Sequence, residues 1–130
     1  MNEIVKSSPD EIVPVVEKEG LDKIIKPLVQ EIHLFDSYIA GTTHLDDKSV
    51  LDAMKIGDKL SLYREDNKFD KNAILIMNAD KKKLGYVPEK DNLIFARLLD
   101  AGKLLCARIT KIELKGDFYK VAIGIYLVDF

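Results

Sequence analysis

The sequence predicts a mainly β protein, a small antiparallel barrel of about six strands with one internal helix. Three observations carry this. From residue 31 onward apolar residues recur with a period of two, the repeat of a strand that turns one face inward. The stretches "NADK" and "KGD" place turn residues between such runs. One later segment, "PEKDNLIFARLLDAGK", changes to helical spacing and carries start and stop signals. At 130 residues there is room for about one domain with a modest core. The apolar share of 47% and charged share of 32% are those of an ordinary globular chain.

Residues 1–30 read as a helical N-terminal extension, and residues 31–130 as the barrel domain. In "SPDEIVPVVEKEG", Ser8 suits a cap, Pro9 the first helical position and Glu11 the reciprocal capping position, while Pro14 keeps the helix short. Leu21, Ile24, Ile25 and Leu28 continue the helical spacing, which Pro27 interrupts. The first strand is "EIHLFDSYIAG", with Ile32, Leu34, Tyr38 and Ala40 on one face. A short amphipathic turn ends at Gly57-Asp58, and "KLSLYRE" alternates Leu60, Leu62 and Arg64 against Ser61, Tyr63 and Glu65. "AILIMNADKKKLGYV" reads as a hairpin. In the helix, Asp91 is the expected cap, Leu93, Ala96, Leu98 and Leu99 form the expected inward stripe, and Gly102 lies beyond the end. "LLCARITKIEL" and "FYKVAIGIYLV" close the chain as a second hairpin.

The net charge of −2 argues against a protein that grips a long nucleic acid by charge alone. Its distribution is uneven. Residues 1–54 carry −6 (five basic against eleven acidic), residues 55–90 carry +3 (nine against six), and residues 91–130 carry +1 (six against five). No apolar run approaches the roughly 20 residues of a bilayer crossing, so no membrane association is expected. The acidic start "MNEIVKSSPDEIV" lacks the pattern of a secretory signal, which places the chain in the cytoplasm. A single cysteine, Cys106, excludes an internal disulfide, and with only His33 and His44 beside it no zinc site and no cofactor are expected.

Catalytic signals are weak. His44 lies near Asp46 and Asp47 without a nucleophile motif, and no Gly-rich phosphate loop precedes a helix. Glu65 and Asp66 sit on adjacent positions and point different ways. Lys81, Lys82 and Lys83 read as a solvated turn, and Cys106 as a buried core residue.

The stretch "REDNKFDKNA", residues 64–73, is the most informative. It joins two strands without Gly or Pro. Asn67 and Asp70 can organise the turn by bonding their own backbone. The same residues, with the flat face of Phe69 and with Tyr86 on a neighbouring strand, also suit an unstacked nucleotide, where stacking contributes about 1–3 kcal/mol per base. An Asp that accepts from a sugar hydroxyl favours a free end over an internal phosphodiester. Residue chemistry leaves both readings open.

The ordered segments "IAGTTH", "GDKLSLYREDNKFDKNAI" and "KLGYVPEKDNLIFARLLDAGK" resemble the HIRAN domain family, from about residue 35 to the C-terminus. The resemblance implies an OB-like, six-stranded antiparallel barrel with helical insertions. Such domains occur fused to translocases that remodel stalled replication forks, and as small free-standing bacterial proteins. The implied activity is capture of a single-stranded DNA 3′ end, with a pocket reading the terminal hydroxyl and aromatics stacking on the last bases. Carried over by position, Asn67, Phe69 and Asp70 match the family's Asn-x-aromatic-Asp, with Asp70 the acceptor for the 3′-hydroxyl. Gly85 and Tyr86 match its Gly-aromatic step, and Thr42, Thr43 and His44 its first ligand-facing loop. Thr43, His44 and Leu45 stand where the DNA-capturing member has Arg and two Tyr, and Phe118 is the nearest aromatic to the one expected at the last hairpin.

The expected function is therefore a non-catalytic nucleic-acid-binding module recognising single-stranded DNA 3′ ends in DNA repair or stalled-fork processing. Its DNA-binding residues are Thr43, His44, Asn67, Phe69, Asp70 and Tyr86. The partners are a single-stranded DNA end and a DNA-processing protein. A protein-interaction module with a vestigial pocket is the alternative. Hydrolase activity in the family belongs to fused ATPase domains, and no Walker motif is present.

Overall fold

The structure, a computed structural model, describes residues 30–45 and 48–129. The helical extension read over residues 1–30 lies outside the described residues, apart from Gln30, which opens the first strand. Asp46 and Asp47 lie outside them as well.

Six strands alternate with short helical pieces among the described residues. They are β1 (Gln30–Tyr38), β2 (Lys59–Arg64), β3 (Ile74–Met77), β4 (Lys83–Tyr86), β5 (Leu105–Lys115) and β6 (Phe118–Asp129). A 3-10 turn spans Thr42–His44, helix α1 spans Ser49–Asp52 and helix α2 spans Asn92–Asp100. The strands form one sheet in the order β1-β6-β5-β2-β3-β4, and the β2–β3, β2–β5, β3–β4 and β5–β6 ladders are antiparallel. Residues Ile32–Val128 make a compact unit.

The two edges of the sheet meet at one point. Just beyond β1, the Ala40 N–H donates to the Tyr86 carbonyl at 2.8 Å, and the Tyr86 N–H donates back to the Ala40 carbonyl at 2.9 Å. The sheet curls onto itself and is stitched by this bridge, without a full ladder between β1 and β4. Gly85 permits the approach: a Cβ there would collide with the Ala40 carbonyl oxygen and come within 2.6 Å of Ile39 Cγ2.

Alternation set the core as expected in β2, where Leu60 and Leu62 are buried, and in the β3–β4 hairpin, where Ile74, Ile76 and Leu84 are fully enclosed. Ile109, Val121, Ile123 and Ile125 complete the interior. Each such side chain contributes about 1.5–3 kcal/mol by leaving water. A shift of register between Ile109 and Lys111 bends the long β5–β6 ribbon. The Asn78 side-chain oxygen accepts the N–H groups of Asp80 and Lys82 at 2.9 Å each and holds the tight turn, in which Lys81 takes φ 61°.

Two expectations fail in detail. In β1 the apolar set Ile32, Leu34 and Tyr38 faces outward, each about two-fifths exposed. Phe35 is just as exposed at 41%, although its ring lies 5.7 Å from the buried Phe95 ring; the chain turns inward only at the end of the strand, where Ser37 bonds Asp91 and Ile39 is buried. Both faces of this strand carry apolar residues, so period alone could not choose between them. In α2 the inward residues are Asn92, Phe95 and Ala96, with Leu98 and Leu99 partly buried, whereas Leu93 is exposed. Asp91 does precede the helix, yet its carboxylate makes no capping bond and instead accepts the Ser37 hydroxyl at 2.8 Å.

Candidate functional site

The segment after β2 is built as two self-bonded turns in series. The Asn67 side-chain oxygen accepts the Phe69 N–H at 2.8 Å, and Asp70 Oδ1 accepts the Asn72 N–H at 2.9 Å. Backbone bonds from Asp70 N–H to the Asn67 carbonyl and from Ala73 N–H to the Asp70 carbonyl close each turn at 3.2 Å. Asx side chains thus do what Gly or Pro does elsewhere. Arg64 pins the segment from beneath, donating to the Ala73 carbonyl at 2.7 Å, the Lys71 carbonyl at 2.9 Å and Asp100 Oδ1 at 3.0 Å.

Longer-range bonds anchor it to the rest of the fold. Asp70 Oδ2 accepts the side-chain amide of Asn92, the buried first residue of α2, at 2.8 Å. The Tyr86 hydroxyl donates to the Glu65 carboxylate, 2.8 Å and 3.0 Å from its two oxygens, and Asn67 Nδ2 donates to the same carboxylate at 3.2 Å. Lys83 Nζ lies 4.6 Å from the Tyr86 ring centroid and donates to the hydroxyl at 3.2 Å.

Between these parts is an open cleft of about 180 Å³ lined by Ala40, Gly41, Asn67, Asp70, Ala73, Tyr86, Val87 and Glu89. Larger hollows lie elsewhere. One of about 430 Å³ runs past Leu62, Leu99, Leu104 and Cys106, and one of about 210 Å³ lies between α1 and the Asn78 turn. The smaller cleft is the stronger candidate because an amide, a carboxylate and an aromatic ring converge on it. Asp70 and Glu89 make its wall acidic, which favours a hydrogen-bond donor over a phosphate.

Of the residues expected to bind, Asn67, Asp70 and Tyr86 come together. Phe69 does not join them: its ring is 84% exposed, away from the cleft lining, with Lys68 Nζ 5.4 Å from its centroid. The Asx turn that fixes Asn67 and Asp70 inward leaves Phe69 at the tip. Thr43 and His44 are exposed on the 3-10 turn, and Gly41 before them is what reaches the cleft. Thr42 is buried and donates to the Tyr119 carbonyl at 3.4 Å. Phe118 is partly exposed at the start of β6.

Sequence reasoning set Glu65 and Lys83 aside and missed Glu89 and Asn92. Asn92 had a signal, a polar residue at an inward helix position. Lys83 also had one, since it opens β4 three residues before Tyr86. Glu65 had only its place in the Glu65-Asp66 pair, and Glu89 had none; the β2–β3–β4 ladders bring Glu65 to the ring, and Glu89 follows Tyr86 by three positions. Among the described residues no group of three or more His, Cys, Asp or Glu side chains is placed to hold a metal ion, and no helix is long and apolar enough to cross a membrane.

Comparison with known proteins agrees with this architecture. The HIRAN domain family model matches residues 32–128. A crystal structure of a protein from Lactobacillus plantarum superposes with a TM-score of 0.73 at 24% identity, covering 78% of this chain and 99% of the other. The HIRAN domain of human HLTF superposes with a TM-score of 0.63 at 14% identity, covering 80% and 82%. At such identities the likeness speaks for the fold. No curated protein matches the chain.

Proposed function

The chain belongs to the HIRAN domain family, a family of DNA-binding domains, and on that premise we propose that it recognises the 3′ end of single-stranded DNA through the terminal 3′-hydroxyl. It acts as a non-catalytic module in the cytoplasm, serving a DNA-processing protein in repair or at stalled forks. The observation that carries this reading is that the Asp70 carboxylate and the Tyr86 ring line one cleft. Each Asp70 oxygen already accepts one protein hydrogen bond and keeps a second lone pair, so the carboxylate is both positioned and able to accept a hydroxyl. A terminal phosphate would meet Asp70 and Glu89 and be repelled. The Tyr86 ring, tethered through its hydroxyl to Glu65, offers a fixed surface for a base or sugar.

Fluorescence anisotropy with short oligonucleotides that differ only at the 3′ terminus, at two salt concentrations, tests the reading. The 3′-hydroxyl end should bind more tightly than the 3′-phosphate end. Asp70→Ala should remove that preference, a loss of about ten- to a hundredfold for a hydrogen bond to a charged group. Equal binding of both ends by the unmutated chain would reject it.

A second reading, a protein-interaction module with a vestigial pocket, is favoured by the exposure of Ile32, Leu34, Leu93 and Ile94. Under it the unmutated chain shows no end preference, and Ile94→Lys weakens association with a DNA-processing partner.

A further inference from the structure

Strand β2 changes partner at Ser61. Its residues 59–61 are laddered to β5, where Ser61 stands opposite Cys106, and its residues 61–64 to β3, where Arg64 stands opposite Ile74. Past Ser61 the side of β2 that faced β5 therefore has no ladder partner. The cause is the turn that leaves α2. Gly102 takes φ 87°, its N–H donates to the Leu99 carbonyl and the Lys103 N–H to the Leu98 carbonyl, at 3.0 Å each, so the chain swings out of the helix before β5 begins at Leu105. There β5 is already paired with β6, Leu105 opposite Leu127, and the Val128 N–H donates to the Leu104 carbonyl at 2.8 Å. Arg64 on Asp100, at 3.0 Å, ties the end of β2 to the end of α2 instead. The hollow of about 430 Å³ is lined from both sides of this parting, by Leu62 and Tyr63 of β2 and by Lys103, Leu104 and Leu105.

The hollow shares no lining residue with the cleft at Asp70 and Tyr86. Leu62 and Leu105 in its lining are buried, whereas Leu104 is 52% exposed and Tyr63 46%, so apolar surface continues from the interior out to solvent. Lys59 and Lys103 also line it, and no acidic side chain does. Asp100, three positions before Lys103, is engaged by Arg64, and Lys103 makes no ion pair among the described residues. We propose that this hollow captures the C-terminus of a partner protein whose last residues are aliphatic, with their side chains between Leu62 and Leu105 and the terminal carboxylate on Lys103. Three features together select that ligand. The apolar lining takes aliphatic side chains, and the ammonium takes a carboxylate. The β2 backbone past Ser61, without a ladder partner on that side, takes the peptide groups between them. A fatty acid would use the first two and leave the third empty. An internal segment of a partner would lack the carboxylate, and a nucleic acid would leave the apolar lining uncovered.

The test is anisotropy of the full chain with a fluorescein-labelled peptide ending in Asp-Leu-Leu with a free carboxylate, and with the same peptide amidated. The free acid should bind about ten- to a hundredfold more tightly than the amide, the range for one hydrogen bond to a charged group. Lys103→Ala should bind both peptides alike, and Lys103→Arg should restore the difference. Leu104→Asp should weaken both, and circular dichroism should show each variant folded. In nuclear magnetic resonance, the free acid should shift the amides of residues 62–64 and 103–105 and leave those of Gly41 and Asn67 in place. Unlabelled peptide should displace the labelled one at lower concentration than decanoate does. Lys103→Ala should leave oligonucleotide binding unchanged, because the cleft lies elsewhere. Absence of peptide binding, equal binding of acid and amide by the unmutated chain, or shifts confined to the cleft would each overturn the proposal. Displacement by decanoate at the lower concentration would overturn the peptide assignment in favour of a fatty acid.

Discussion

The Asp70 carboxylate accepts a hydrogen bond at 2.8 Å from the side-chain amide of Asn92, twenty-two positions later in the chain. Asn92 is 1% exposed, so its amide has little access to water as a substitute partner, and the bond ties the turn after β2 to the start of α2.

Asn92→Ala should therefore cost stability as well as order. A hydrogen bond to a charged group contributes about 1.5–3 kcal/mol, and the substitution should lower unfolding free energy by that order. Urea denaturation followed by circular dichroism measures it, and faster exchange of the Asn72 amide should accompany it. An unchanged midpoint would show that the Asp70–Asn92 bond is dispensable.

Arg64 holds the same turn from the other side through its planar fork. Lysine cannot reproduce bonds to two carbonyls and a carboxylate at once. Arg64→Lys should destabilise by about 1–2 kcal/mol and raise hydrogen exchange at Phe69, Asn72 and Ala73, while the core amides of β6 keep their protection. Equal exchange across the turn would count against the pinning role.

Gly85 is where the sheet edges touch, and a methyl group there would push against the Ala40 carbonyl oxygen and Ile39. Gly85→Ala should cost about 1–3 kcal/mol by overpacking and should open the Ala40–Tyr86 bridge. Nuclear magnetic resonance should then show the amides of Ala40 and Tyr86 exchanging early. Wild-type stability in this variant would mean that the two edges separate without cost.

Tyr119 donates its hydroxyl to Asp52 at 2.7 Å, linking β6 to α1. That hydrogen bond, with smaller contributions from desolvation and the Asp52 charge, raises the tyrosine pKa above its ordinary value of 10.0. A folded pKa above the unfolded one stabilises below the ordinary value, and this stabilisation fades as pH climbs through the folded value. Ultraviolet titration should find Tyr119 ionising late, and Asp52→Asn should bring it back toward the ordinary range. Titration unchanged by Asp52→Asn would contradict the assignment.

Much of the architecture was legible because it depends on local chemistry. Leu60 and Leu62, the Asn78 turn and the β5–β6 ribbon follow from alternation and turn residues that act over a few positions. The Asx turns at Asn67 and Asp70 were legible for the same reason. The burial of β1 was not, since Ile32, Leu34 and Phe35 all stay about two-fifths exposed and only Ile39, just past the strand, is enclosed. Nor was the exposure of Phe69, which follows from how the turn is pinned, or the meeting of Glu65 with Tyr86 and of Asp70 with Asn92. Local preference wrote the strands and turns. The ladders of β2, β3 and β4, the seating of α2 and the curl that brings Ala40 to Tyr86 at Gly85 determined which distant carboxylates, amides and rings share a cleft, because such contacts are set by through-space packing that no short stretch of chain encodes.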